Sequence, residues 1–70
     1  MIINKKYESI LMKVLKKRGI AIYQLADLVG VSRKSMYRYV NGERLPTIDI
    51  AFKIADALDD TVDYLFSDRF

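Results

Sequence analysis

Apolar residues recur along this chain at intervals of three and four, the spacing that gathers side chains on one face of an α-helix. The first stripe consists of Tyr7, Ile10, Leu11, Val14 and Leu15. It predicts a helix from about Lys5 to Arg18, with Asn4 as its N-cap and Gly19 as the left-handed residue after its end.

Four further helices are predicted between the turn-forming residues of the chain, which are Gly19, Gly30, Gly42 and Pro46. Their approximate ranges are 22–29, 33–41, 48–58 and 62–66. The last three have suitable N-caps in Ser32, in Thr47, and in Asp60 or Thr61. The helix at 22–29 would start after Ala21, a poor cap, so packing or a ligand is expected to hold that end. No segment shows the alternation of a strand, so the sequence predicts an all-α protein of five helices.

The buried faces follow from the same periodicity. On the helix at 22–29 the expected stripe is Leu25, Ala26, Leu28 and Val29. On the helix at 48–58 it is Ile48, Ala51, Phe52, Ala55 and Leu58, with Ile54 beside it. These stripes predict one core shared by all the helices.

Only Gly30, Val31 and Ser32 separate the helices at 22–29 and 33–41. A short turn containing glycine lets the second helix cross the first at a steep angle. Met36, Tyr39 and Val40 would then face inward, and the pair Asn41–Gly42 is expected to end the helix with positive φ. The opposite face presents Arg33, Lys34, Tyr37, Arg38 and Asn41.

Length and composition narrow the class of protein. The 70 residues, 51% of them hydrophobic, suit one domain spanning 1–70. The chain has no Cys and no His, which removes disulfides, nearly every structural zinc site and the usual nucleophile–base pairs. We therefore expect no enzyme, no cofactor, no metal and no evident small-molecule ligand. Asp56, Asp59, Asp60 and Asp63 are read as helix caps and solvated surface rather than as a metal or acid–base cluster.

The longest apolar run is four residues long, Ile20–Tyr23, far short of the ~20 that a membrane span needs. No signal-peptide core is visible near the start, so the expected location is cytoplasmic.

Charge is distributed unevenly. Residues 1–44 hold ten basic and three acidic side chains, whereas residues 45–70 hold two basic and six acidic ones. A strongly basic segment favours a polyanionic partner, although a solvated surface explains the same charges.

The stretch Leu25 to Pro46 reads LADLVGVSRKSMYRYVNGERLP, and further on the chain contains IADAL and VDYLF. These segments resemble the Cro and phage-repressor (lambda-repressor-like) family of helix-turn-helix transcriptional regulators. The resemblance covers roughly residues 8–66 and implies a five-helix domain that binds double-stranded DNA, usually as a homodimer on a palindromic operator.

By position, the resemblance implies roles for the exposed side chains. Those at the base-reading positions are Arg33, Lys34 and Arg38, with Tyr37 near the groove wall. Arginine or lysine there would favour guanine O6 and N7. The side chains that the resemblance places near the DNA phosphates are Tyr23, Gln24, Ser32, Ser35, Asn41 and Arg44.

The chain departs from the family at two places. Thr and Gln are frequent in the family where this chain has Ala21 and Ile22, so a side-chain clamp on phosphate is missing there. Some members pair a buried Arg with a Glu where this chain has Leu15 and Val40. An apolar pair is expected to replace that ion pair without loss of stability.

The chain end is rich in apolar area, and part of it is expected to form a dimer seam. The seam residues are predicted to be Tyr64, Leu65, Phe66 and Phe70. An apolar seam also fits an alternative function, a protein-interaction module such as an antitoxin that neutralises a toxin. The preferred function is a DNA-binding regulator, and a repressor rather than an activator because blocking polymerase needs no further surface. A membrane-active cationic peptide is disfavoured because the acidic last third and the regular turn residues predict a folded domain.

Overall fold

The computed structural model describes residues 8–69 and places five α-helices and one 3₁₀ turn within them. The helices are α1 (Ile10–Arg18), α2 (Ile22–Val29), α3 (Arg33–Val40), α4 (Ile48–Leu58) and α5 (Val62–Leu65), and the turn is Ser67–Arg69. No strand occurs among residues 8–69, so the predicted all-α, five-helix class is confirmed. None of the helices in this part of the chain has the length and hydropathy that crossing a bilayer requires.

The start of α1 differs from the prediction. Ser9 is the N-cap, with extended backbone angles of φ −68° and ψ 158°, and its Oγ accepts a hydrogen bond of 3.0 Å from the Met12 backbone N–H. The predicted cap, Asn4, lies outside the described residues. Serine is one of the best N-cap residues, and helix periodicity alone does not reveal which polar residue stops the apolar stripe.

Ser9 also joins α1 to the end of α3. Its hydroxyl donates to the Val40 carbonyl oxygen at 2.5 Å, and the Ser9 residue is only 1% exposed. At the same helix start, an Asp68 carboxylate oxygen accepts from the Ile10 backbone N–H at 3.0 Å. The beginning of α1, the end of α3 and the turn after α5 are therefore connected by hydrogen bonds between residues distant in sequence.

All five helices contribute to one apolar core. Its fully buried side chains include Leu11, Leu25, Ala26, Met36, Val40, Ile54, Leu58 and Leu65. Leu15 and Val40, the apolar pair expected in place of an ion pair, are both buried. Val31, in the turn between α2 and α3, packs against this core and holds the turn in place.

Three residues assigned to buried stripes are exposed instead. Leu28 is 68%, Ile48 67% and Phe52 56% exposed. The buried face of α4 consists of Ala51, Ile54, Ala55 and Leu58. Its spacing of three, four and seven residues places Ile48 and Phe52 to one side of that face, so the predicted stripe was too wide.

The other helix ends agree with those predicted from the sequence, except at two residues. Gly42 has the expected positive φ of 79°, but Asn41 has φ −83° and remains right-handed. Thr47 precedes α4 as predicted, yet its hydroxyl donates to Asp49 Oδ1 at 2.6 Å instead of capping a backbone N–H. That hydrogen bond lowers the pKa of the Asp49 carboxyl below its ordinary value.

Replacement of Ser9 by alanine should lower the free energy of unfolding by about 1–3 kcal/mol, because a helix cap is lost and a buried carbonyl is left unpaired. Ser32→Ala is the matched control, since Ser32 caps α3 but is exposed. Urea denaturation of both variants should show the greater loss for Ser9→Ala. An equal or smaller loss would contradict the role assigned to the Val40 bond.

Substitution of Val40 by glutamate should destabilise the protein by about 3–5 kcal/mol, because the carboxylate would be buried in the apolar core without a partner. Lys34→Glu places the same charge on the exposed side of α3 and should change stability by about 0.5 kcal/mol or less. Thermal melts compare the two. A shift of only one or two degrees for Val40→Glu would refute the placement of Val40.

Candidate nucleic-acid interface

The outward side of α3 is formed by the four residues predicted to contact bases. Arg33, Lys34 and Tyr37 are exposed, and Arg38 is half-buried. They occupy positions i, i+1, i+4 and i+5, which share one side of a helix. Because Met36 and Val40 on the opposite side are fully buried, α3 can turn only this basic face toward solvent.

The turn before α3 sets its direction relative to α2. Gly30 has φ 86°, a left-handed conformation that glycine adopts without steric cost. Its N–H donates to the Ala26 carbonyl at 2.8 Å, which closes the end of α2. Ser32 is the N-cap of α3, and its Oγ accepts a hydrogen bond of 3.0 Å from the Ser35 N–H. Three residues thus connect the two helices, and the first residue of α3 lies beside α2.

Arg33, at that position, contacts two side chains of α2. Its Nη2 lies 3.4 Å from Asp27 Oδ2, and its guanidinium carbon lies 5.1 Å from the centre of the Tyr23 ring. Tyr23 and Asp27 are one helical turn apart, so a single side chain spans both. The sequence interpretation assigned Arg33 to a base and Tyr23 to a phosphate, and it did not foresee that they contact each other.

The start of α2 is held by a side chain that the sequence interpretation treated only as a phosphate contact. Ala21 has no capping side chain, but Gln24 Oε1 accepts from the Ala21 N–H at 2.8 Å. This is the returning half of a capping box, and Gln at the third helical position was its signal. This bond uses Oε1 and leaves the Nε2 hydrogens of Gln24 available to donate to a ligand, which suits an anion.

The other residues predicted near phosphates surround the two ends of α3. Ser32 is exposed and Ser35 half-buried at the beginning, whereas Asn41 is half-buried and Arg44 exposed after the end. Ser32 Oγ accepts the capping bond, and its hydroxyl hydrogen can still donate. The polar groups therefore flank the basic face on both sides.

The structure buries two of the four residues predicted to form a dimer seam. Leu65 is fully buried and Phe66 is 2% exposed, because both complete the chain's own core. The Arg69 guanidinium lies 5.5 Å from the centre of the Phe66 ring and covers it further. Tyr64 is exposed, and Phe70 lies outside the described residues. Two of the four residues are thus unavailable to a partner.

A different apolar surface is exposed next to the loop that follows α3. We call it the α4 patch; its exposed members are Leu45, Ile48 and Phe52. An open pocket of about 230 Å³ adjoins it and is lined by Leu45, Pro46, Ile48, Ala51, Val62 and Phe66. Sequence reasoning missed this patch because it assigned Ile48 and Phe52 to the core.

The family profile described as helix-turn-helix matches residues 11–65, so the chain belongs to this family, of the Cro and C1 type. The match covers α2, the turn and α3 together with most of the core. The helix-turn-helix family expected from the sequence is confirmed by this match.

Several curated proteins are similar to the chain. One from Methanocaldococcus jannaschii, named as an HTH-type transcriptional regulatory protein, is 40% identical over 50 residues, 71% of this chain and 16% of that protein. One from Pyrococcus abyssi with the same kind of name is 34% identical over 47 residues, 67% and 15% of the two chains. The transcriptional repressor RstR of the cryptic phage CTXphi in Vibrio cholerae is 48% identical over 42 residues, which are 60% of this chain and 38% of that protein.

This chain thus matches about a sixth of the archaeal relatives and little more than a third of the phage repressor. No solved structure matches the chain significantly.

Proposed function

We propose that this chain binds double-stranded DNA sequence-specifically and represses transcription, with α3 in the major groove. The observation that supports this most strongly is the exposed basic face of α3, fixed by burial of Met36 and Val40 on its other side. A helix about 10–12 Å across fits the major groove, which is about 12 Å wide.

Contacts to phosphates and contacts to bases have separate tasks in this proposal. Phosphate contacts fix the position of the protein on the duplex, and base contacts supply specificity. The side chains of α3 that are assigned to bases are Arg33, Lys34, Tyr37 and Arg38, whereas Arg44 in the following loop is assigned to phosphate. Gln24 and the backbone N–H groups at the start of α2 are assigned to another phosphate, because a helix N-terminus attracts anions.

Repression would follow from occupancy of the operator alone and would need no catalysed reaction. The name of the V. cholerae relative describes a transcriptional repressor, and this supports repression over activation here. The proposed location is the cytoplasm, because a protein that binds duplex DNA has to be in the same compartment as that DNA.

We further propose that two copies bind a palindromic operator, with the two α3 helices about 34 Å apart. The α4 patch is the surface assigned to the second copy. Its exposed apolar side chains begin at Leu45, directly after Arg44, so the patch adjoins a residue that is assigned to the DNA backbone. A self-complementary surface of this kind is typical of homodimers.

Selection of bound fragments from a random duplex library tests the proposed function. Enrichment of a sequence with two-fold symmetry and half-sites one helical turn apart would support both the specificity and the dimer. Recovery of unrelated fragments would contradict sequence-specific binding, and an asymmetric single site would contradict the dimer.

Replacement of Arg38 by alanine should cost about 1–3 kcal/mol on the selected operator and relax the base preference at one position. Replacement of Arg44 by alanine should instead weaken binding to all duplexes alike and flatten the slope of log affinity against log salt by about one. Fluorescence anisotropy on operator and random duplexes over a salt series measures both. Equal effects of each variant on the two duplexes would overturn the division of roles.

Substitution of Phe52 by glutamate should raise the dissociation constant of the dimer at least tenfold, because a charge would be placed in an apolar contact. Leu28→Glu is the control, since Leu28 is also an exposed apolar residue but lies on α2, outside the patch. Sedimentation equilibrium, with and without operator, measures the association. A dimer that is unaffected by Phe52→Glu, or weakened as much by Leu28→Glu, would place the seam elsewhere.

A further inference from the structure

The contacts of Arg33 with Tyr23 and Asp27 give this residue a different position from the other basic residues of α3. Arg33 is the first residue of α3, and its side chain is directed back along α2. The ion pair and the ring contact together hold the guanidinium on the protein. Binding to a base or a phosphate requires that Arg33 leave one or both contacts.

Both contacts are weak enough to be exchanged. The Arg33 and Asp27 side chains are 67% and 60% exposed, and their 3.4 Å separation is at the long end for a hydrogen-bonded ion pair. The Tyr23 ring is exposed as well, where a cation–π contact contributes little. A guanine edge can offer Arg33 a bidentate contact in return, and a phosphate offers it a full negative charge.

Asp27 is therefore placed where it can compete with DNA for the Arg33 guanidinium. We propose that Asp27 competes intramolecularly with DNA for Arg33, so that it lowers the contribution of Arg33 to non-specific binding and thereby raises discrimination between duplexes. This inference rests on the proposed function. It makes Asp27, which is not assigned to any DNA contact, a specificity-determining residue.

Discrimination between duplexes arises because a guanine edge and a phosphate differ in how well they can replace the Asp27 carboxylate as the partner of Arg33. While Arg33 is paired with Asp27, the pair carries no net charge and gives little attraction to an arbitrary phosphate. A site that presents guanine at the right position can replace the carboxylate with two directed hydrogen bonds, whereas a random site cannot. Removal of the Asp27 charge should release Arg33 for phosphate contact on any sequence.

The test uses Asp27→Asn, which keeps the size of the side chain and removes its charge. Anisotropy titrations of a random 20-bp duplex should show about threefold to tenfold tighter binding, and the salt slope should steepen by about 0.9, the value for one additional phosphate neutralised. Affinity for an operator from the library selection should rise less, so the ratio of specific to non-specific affinity should fall. The thermal midpoint should stay close to that of the unaltered protein, because the pair is exposed.

Two controls separate competition for Arg33 from the charge of Asp27 itself. In the Arg33→Ala background, Asp27→Asn should produce no further gain, because the residue through which it acts is absent. Glu43→Gln removes one exposed negative charge from the loop after α3 and should produce a smaller gain than Asp27→Asn. NMR signals of the Arg33 side chain, shifted by the Tyr23 ring in the free protein, should lose that shift when operator is added.

Different failures have different meanings. If the unaltered protein binds random duplex but Asp27→Asn changes neither affinity nor salt slope, the inference is overturned and the proposed function stands. The inference is equally overturned if the gain persists with Arg33→Ala, or if Glu43→Gln produces the same gain. If the unaltered protein binds no duplex even at low salt, the proposed function falls, and this inference with it.

Discussion

Burial of one side of α3 is the interaction on which the rest of the interface depends. The helix has eight residues, too few to be stable in isolation, so its conformation requires tertiary contacts. Met36 and Val40 supply them by packing into the core, and the Gly30 turn brings α2 against the same side. The orientation of Arg33, Lys34 and Tyr37 toward solvent is a consequence of that packing and needs no further contact to enforce it.

The hydrogen bond between Ser9 and Val40 links the position of α3 to the start of α1. Ser9 satisfies a backbone group at the start of α1 and another at the end of α3, so the two helices share one buried hydroxyl. Because the Arg44 loop begins just beyond Val40, the position of that loop depends on a residue more than thirty positions earlier. A small domain with one thin core benefits from such links between distant residues.

The sequence predicted most of the fold, since four helices have nearly their expected bounds and the Leu25–Ala26 stripe is buried as expected. Periodicity places residues on a helix face but does not say how wide the buried face is, and so Ile48 and Phe52 were assigned wrongly. The cap of α1 was missed because both Asn4 and Ser9 are good caps. The Arg33 contacts depend on where the turn brings two helices together, and no local pattern encodes that placement.

The space around Gly30 determines which substitutions the turn between α2 and α3 can accept. A Cβ built on Gly30 meets no atom within 4 Å, so a side chain there would point into open solvent. The cost of replacing this glycine is therefore confined to the left-handed backbone, which asparagine adopts more readily than β-branched residues do. An asparagine at this bend should therefore leave the packing of Val31, Met36 and Val40 undisturbed.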